Sequence, residues 1–179
     1  EEFSIVRRGE RVSQAADVMA AEDAQPQPVL MLMIASAQSL PNALPARQYA
    51  PDRAVIYQSS DAAVRDSAHR VAALFPANRV SLRDLPDGDY ATLHAYAEQE
   101  ANRLMKQHPD HRLVLNATGG NKPMSLAFTH AFGGRAEIIY CDTQSDSVQV
   151  LEPVGAPCLH LREDLLDLGA YLAVQGFPV

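Results

Sequence analysis

The chain has 179 residues, 47% of them hydrophobic, with no apolar run near the ~18 positions a membrane-spanning helix needs, so it reads as one soluble domain with a sizeable core. A formal net charge of -7 argues against a surface that grips long nucleic acid, which requires a basic stripe, but leaves room for a local site for one small anion. Two cysteines, Cys141 and Cys158, form neither a disulfide framework nor a CxxC pair, and no signal peptide precedes the first strand, so a reducing cytoplasm is expected.

Glu1 to Gln27 is weakly periodic, with Val12, Ala15, Ala16, Val18 and Met19 allowing a short helix, and 1–28 reads as an N-terminal extension. Val29 to Ala35 (VLMLMIA) is apolar on both faces, as a central parallel strand covered by helices on both sides should be. Small polar residues follow it, Ser36, Ala37, Gln38 and Ser39, and Pro41-Asn42 begins a turn or helix. Arg53 to Tyr57 is a second strand; Ser60 or Asp61 then caps a helix carrying Val64, Ala68, Val71, Ala72 and Phe75 at helical spacing. Arg79 to Leu82 is a third strand, and Asp87-Gly88-Asp89 leads a long helix that places Tyr90, Leu93, Ala97, Ala101, Leu104 and Met105 on one face and stops at Pro109. Leu113 to Leu115 is again strand; Ala136 to Tyr140 and Val148 to Leu151 read as an antiparallel hairpin at one sheet edge. Strands alternating with helices predict an α/β three-layer sandwich whose sheet is mostly parallel, with that hairpin antiparallel.

The stretch HRLVLNATGGNKPM, His111 to Met124, organises the rest. A short apolar strand stops at turn chemistry, Asn116-Ala117-Thr118-Gly119-Gly120, and Pro123 suits the first turn of a helix that runs through Ser125 to Phe132 and closes at Gly133-Gly134. A glycine turn before a helix start offers unpaired N–H groups and a partial positive charge worth about 0.3–1 kcal/mol to a nearby anion, and Lys122 adds a full charge. Neither GxxxxGK[ST] nor GxGxxG is present. The competing reading is a tight strand-to-helix turn with a solvated lysine; Asn116 is open between an Asx turn and a ligand contact. In a parallel sheet ligands bind beyond the carboxyl ends of strands, where Ser36 to Ser39 and Thr118 to Lys122 both lie, so the two loops should converge.

Other residues carry less. Tyr57 to Ser59 ends a strand at the same sheet edge and suits either base stacking or capping. The six histidines show no metal-ligand pairing, so no metal site is expected; the cysteines read as inert core or loop thiols. Glu98, Glu100, Asp164 and Asp167 read as solvated helix faces, and no Gly-x-Ser-x-Gly elbow appears.

Asn-x-Thr-Gly-Gly-x-Lys-x-Met after a strand resembles the signature of CARF domains, the CRISPR-associated Rossmann-fold sensors, in the family whose longer members carry a C-terminal restriction-like nuclease. The Pro41-Asn42 pair after the first strand and the Asp-Leu-rich stretch Asp164 to Gly176 agree with it in order. The resemblance implies a Rossmann-like domain over 29–155 and, over 156–179, a helix or linker towards an effector domain, a nuclease in the longer relatives.

It further implies a sensor of cyclic oligoadenylate, cyclic tetra-adenylate in particular, bound at a homodimer interface and controlling an effector allosterically, with no other cofactor. Carried over by position, the binding set is Ser36, Ala37, Gln38, Pro41 and Asn42 from the first loop and Thr118, Gly119, Gly120, Asn121 and Lys122 from the second, with Asn121 in place of the more usual threonine. Two alternatives stand beside it. One is a slow, metal-independent ring nuclease in which Lys122 with Ser36 or Thr118 aligns a ribose hydroxyl on its phosphate. The other is a generic Rossmann-like domain for a mononucleotide or phosphorylated metabolite.

Overall fold

The computed structural model describes residues 27–178. The short helix expected around Val12 to Met19 lies outside them. Seven strands form one sheet in the order β3-β2-β1-β4-β5-β6-β7. The strands are β1 (Val29–Ile34), β2 (Arg53–Gln58), β3 (Val80–Asp84), β4 (Arg112–Asn116), β5 (Glu137–Asp142), β6 (Ser147–Glu152) and β7 (Leu159–His160). The first five run parallel, with β1 between β2 and β4 (Leu32 opposite Val55 and Leu115), while β6 and β7 add antiparallel. This is the expected α/β architecture, a mostly parallel sheet with an antiparallel edge.

Alternation along β1 explains why the run is apolar on both faces. Leu30, Leu32 and Ile34 join Tyr57, Leu115, Phe128 and Phe132 in one core layer, beneath α3 (Tyr90–Gln107) and α4 (Lys122–Phe132). Met31, Met33 and Ala35 join Ala43, Ala46, Ile56, Val71, Val114 and Val174 in the other, beneath α1 (Leu40–Tyr49), α2 (Ala62–Ala72) and α5 (Leu168–Gln175). Each large side chain so buried contributes about 1.5–3 kcal/mol.

Capping sets the helix starts. Asp61, not Ser60, accepts from the Val64 N–H at 3.1 Å and starts α2; Asp89 does the same for α3 through Thr92, and Asp167 for α5 through Ala170. Helix α5 therefore begins four residues after the Asp164 expected from sequence, behind a turn that buries Leu165. The two-residue strand β7 is too short to leave a periodic signal. Among the described residues no helix is long and apolar enough to cross a membrane.

Glu100 departs from its reading as a solvated residue. It is 6% exposed and sits where α3 meets β2, accepting from the Tyr57 hydroxyl at 2.9 Å and from Arg103 at 2.7 Å, with Arg83 at 3.6 Å. Tyr57, fully buried, is thus committed to the core and presents nothing to a ligand. Cys141 is buried, which pushes its thiol up to about 11, with Asp142 and Asp146 adding to the effect; Cys158 is exposed.

Candidate functional site

Strand order reverses between β1 and β4: the chain leaves β1 towards β2 and returns on its other side as β4. The β1–α1 and β4–α4 loops therefore leave the sheet side by side at its carboxyl edge, which opens a crevice there. Gly119 makes their approach close. A β-carbon on it would lie 1.9 Å from the Ile34 carbonyl oxygen, so only glycine lets this backbone rest on the end of β1. Gly120 adopts φ +76°, the left-handed region that glycine enters without a steric cost.

Two buried asparagines fasten the loops. Asn42 donates to the Ile34 carbonyl at 2.8 Å and accepts from Asn116 Nδ2 at 2.8 Å. Asn116 also donates to the Pro41 carbonyl at 2.8 Å. That carbonyl is free because Pro45, four residues on inside α1, has no N–H to return to it. Asn116 Oδ1 accepts from the Thr118 N–H at 3.2 Å and hydroxyl at 2.5 Å, and Thr118 Oγ1 accepts from the Cys141 N–H at 2.7 Å. Of the two roles left open for Asn116, the structure gives it the Asx turn, together with a cross-link to α1. The chain of bonds runs Ile34, Asn42, Asn116, Thr118, Cys141, spanning the ends of β1, β4 and β5.

Asn121 caps α4 by accepting from the Met124 N–H at 3.0 Å, a role Asn fills as well as Thr. Ser125 donates to the Ala117 carbonyl and braces the turn from below. The N–H groups of Gly119, Gly120 and Asn121 meet no backbone carbonyl among the described residues. They lie at the positive end of α4, where Lys122 is exposed and makes no ion pair among the described residues. The arrangement can take an anion.

Beside this lies an open groove of about 410 Å³ lined by Ser36, Gln38, Pro41, Thr118, Tyr140, Cys141, Asp142, Thr143 and Gln144. Four of the ten residues expected from sequence line it: Ser36, Gln38, Pro41 and Thr118. Ala37, Asn121 and Lys122 are exposed in the same two loops, Gly119 and Gly120 form the crossing beneath, and Asn42 is buried as the fastener. The Ser36 hydroxyl donates to the Gln38 carbonyl at 3.0 Å, so the Ser36 and Thr118 hydroxyls spend their protons within the protein and offer lone pairs.

The β5–β6 turn is the wall that sequence reasoning missed. The stretch read only as a turn, yet a hairpin strand running parallel to β4 had to end at the same sheet edge, and that was the available signal. Hydrogen bonds from the Ser145 hydroxyl and the Gln144 N–H hold the Asp142 carboxyl below the usual range and direct its oxygens into the turn. Other hollows, beside Pro51 and Arg79 and beside Arg112 and Glu152, lie at the opposite edge of the sheet. Among the described residues no three His, Cys, Asp or Glu side chains gather as a metal ion requires.

The family model described as the Card1 CARF domain matches residues 29–157. Among solved structures, the chain is similar to Can2 from Sulfobacillus thermosulfidooxidans in complex with cyclic tetra-adenylate, with 24% identity and TM-score 0.68 over 84% of this chain and 42% of that one. It is similar to protein VC1899 from Vibrio cholerae, with 17% identity and TM-score 0.69 over 83% of this chain and 39% of that one. Enterococcus italicus Csm6, bound to cyclic hexa-2'-fluoro-hexa-dAMP, matches at 13% identity and TM-score 0.55 over 66% of this chain and 34% of that one. At these identities the likeness is one of fold, and the chain spans less than half the length of each of these proteins. No curated protein sequence matches it.

Proposed function

The chain belongs to the Card1 CARF domain family, and from that premise we propose that it senses a cyclic oligoadenylate, cyclic tetra-adenylate in the first instance. The observation that carries this reading is the convergence of the two loops at the strand-order reversal, with free N–H groups of Gly119 to Asn121 and the Lys122 ammonium beside a polar groove. Phosphates fit the N–H groups and the lysine; ribose hydroxyls fit the lone pairs of Ser36 and Thr118. The Can2 and Csm6 structures, each with a cyclic oligonucleotide bound, support the ligand class.

In this reading two copies of the domain face each other across one symmetric ring, Ser36, Ala37, Gln38 and Pro41 with Thr118, Gly119, Gly120, Asn121 and Lys122 form the site, Asn42 fastens it from beneath, and occupancy controls an effector. The test is calorimetric titration with cyclic tetra- and hexa-adenylate, on wild type and Lys122→Ala, followed by chromatography of the ligand. One ring per two chains, weakened about tenfold in the variant and recovered intact, is the expected result. Recovery as linear fragments replaces the sensor with a ring nuclease, and failure of both rings to bind the folded protein leaves only a generic phosphate site.

A further inference from the structure

We infer that the terminal helix α5 forms the end wall of the ligand groove and that Arg70 is the positioning residue coupling its docking to the ligand loop. The inference rests on the groove being the oligoadenylate site. A second hollow of about 280 Å³, lined by Gln38, Leu40, Pro41, Thr143 and Gln175, shares Gln38, Pro41 and Thr143 with the main groove and ends on the last residue of α5. This helix lies beyond the residues the family model matches.

Arg70 joins the two parts. From α2 its Nε donates to the Val174 carbonyl of α5 at 2.9 Å and to Ser39 Oγ at 3.3 Å. Val174 belongs to the last turn of α5, whose carbonyls have no partner within the helix and carry the negative end of its dipole, so a guanidinium satisfies both needs. Ser39 closes the β1–α1 loop, one residue after Gln38, and shares a 2.9 Å hydrogen bond with Ser67 on α2. Gly176, at φ +88°, turns the chain over the same guanidinium.

Few other contacts hold α5. Of its eight residues only Val174 is buried, while Leu168 and Tyr171 are 74% and 42% exposed. An isolated helix of this length is not stable in water, so its docked state depends on a handful of bonds and is readily shifted by one of them. A ligand that orders Ser36 to Ser39 fixes Ser39 Oγ, and through Arg70 the end of α5.

Hydrogen exchange read by mass spectrometry tests this on the full chain, with and without cyclic tetra-adenylate, binding being followed by calorimetry in the same samples. In wild type the ring should slow exchange across α5. Arg70→Gln should speed ligand-free exchange of α5 about tenfold and abolish the ligand effect. Ser39→Ala keeps the bond from Arg70 to Val174, so ligand-free protection should stay and only the ligand-induced slowing should vanish. A ring that binds wild type without altering α5, or a Ser39→Ala chain that responds like wild type, overturns the coupling and leaves the sensor reading standing. Absence of binding to wild type overturns both.

Discussion

At Gly119 the tolerance of the site is set by a single missing atom. Alanine there would force its β-carbon to 1.9 Å from the Ile34 carbonyl oxygen, a backbone atom that cannot rotate away. Gly119→Ala is expected to lower stability by more than about 2 kcal/mol and to separate the two loops, read as a fall in Tm together with loss of ring binding. Gly120→Ala should also cost more than about 1 kcal/mol, because its β-carbon would meet the buried Ile34 Cγ2 methyl at 2.7 Å in addition to holding alanine in the left-handed region, but that methyl can shift where the Ile34 carbonyl cannot. Both glycines were legible in sequence as a turn before a helix. Their neighbour was not, because Ile34 touches them only through tertiary contact. The same limit applies to Asn116, whose partner Asn42 lies 74 residues away. It applies equally to Tyr57, whose place at a strand end suits base stacking or capping alike, while its burial against Glu100 is a tertiary contact.

Among the elements, α3 is tied to the sheet by one buried carboxylate. Burial alone would raise the Glu100 carboxyl, but hydrogen bonds from Arg103 and Tyr57 and the charges of Arg103 and Arg83 outweigh it and hold the group below its ordinary range near 4.5. The folded state therefore binds this proton less readily than the unfolded chain. Its stabilisation is full above about pH 4.5 and is lost as pH falls through the lower folded value. Glu100→Gln should flatten that acid limb in urea unfolding at a series of pH values, and at pH 7 should cost about 1.5 kcal/mol by weakening the hydrogen bonds from Arg103 and Tyr57, since both arginines keep access to water. Helix α3 itself was legible through its apolar stripe, and β1, β2 and β4 through runs of apolar residues too short for helices. Helix α1 was legible only as a turn or helix beginning at Pro41-Asn42, because Pro41 and Pro45 and a run of small residues erase the helical period. Its second proline leaves the carbonyl that β4 takes up, so the feature that hid the helix also fastens the site.

For the whole molecule, the mostly parallel sheet and its antiparallel edge were legible from the alternation of strands and helices, whereas the strand order, which places the crevice between β1 and β4, was not, because handedness alone permits more than one order. The third wall and the end wall did not follow, since a turn and a terminal helix acquire a role only from what they are folded against. If the ring binds the native state alone, cyclic tetra-adenylate at 100 times its Kd stabilises the domain by about 2.7 kcal/mol, and a rise in Tm of about 5–10 °C is expected for a chain of this size. Differential scanning fluorimetry over a ligand series checks it; no shift at saturation would mean that unfolded chain binds equally well.

The central place of β1 also sets an order of assembly. As the chain emerges, β1, β2 and β3 can pair at once, but the other edge of β1, the sequence VLMLMI, has no partner among the described residues until β4 arrives. An apolar edge waiting through the whole of α3 is the stage of synthesis most exposed to aggregation. Because Gly119 and Asn116 reach the end of β1 only when that edge is closed, the groove is absent from every partial fold. A partly assembled chain therefore has strands but not the crevice that the two loops enclose.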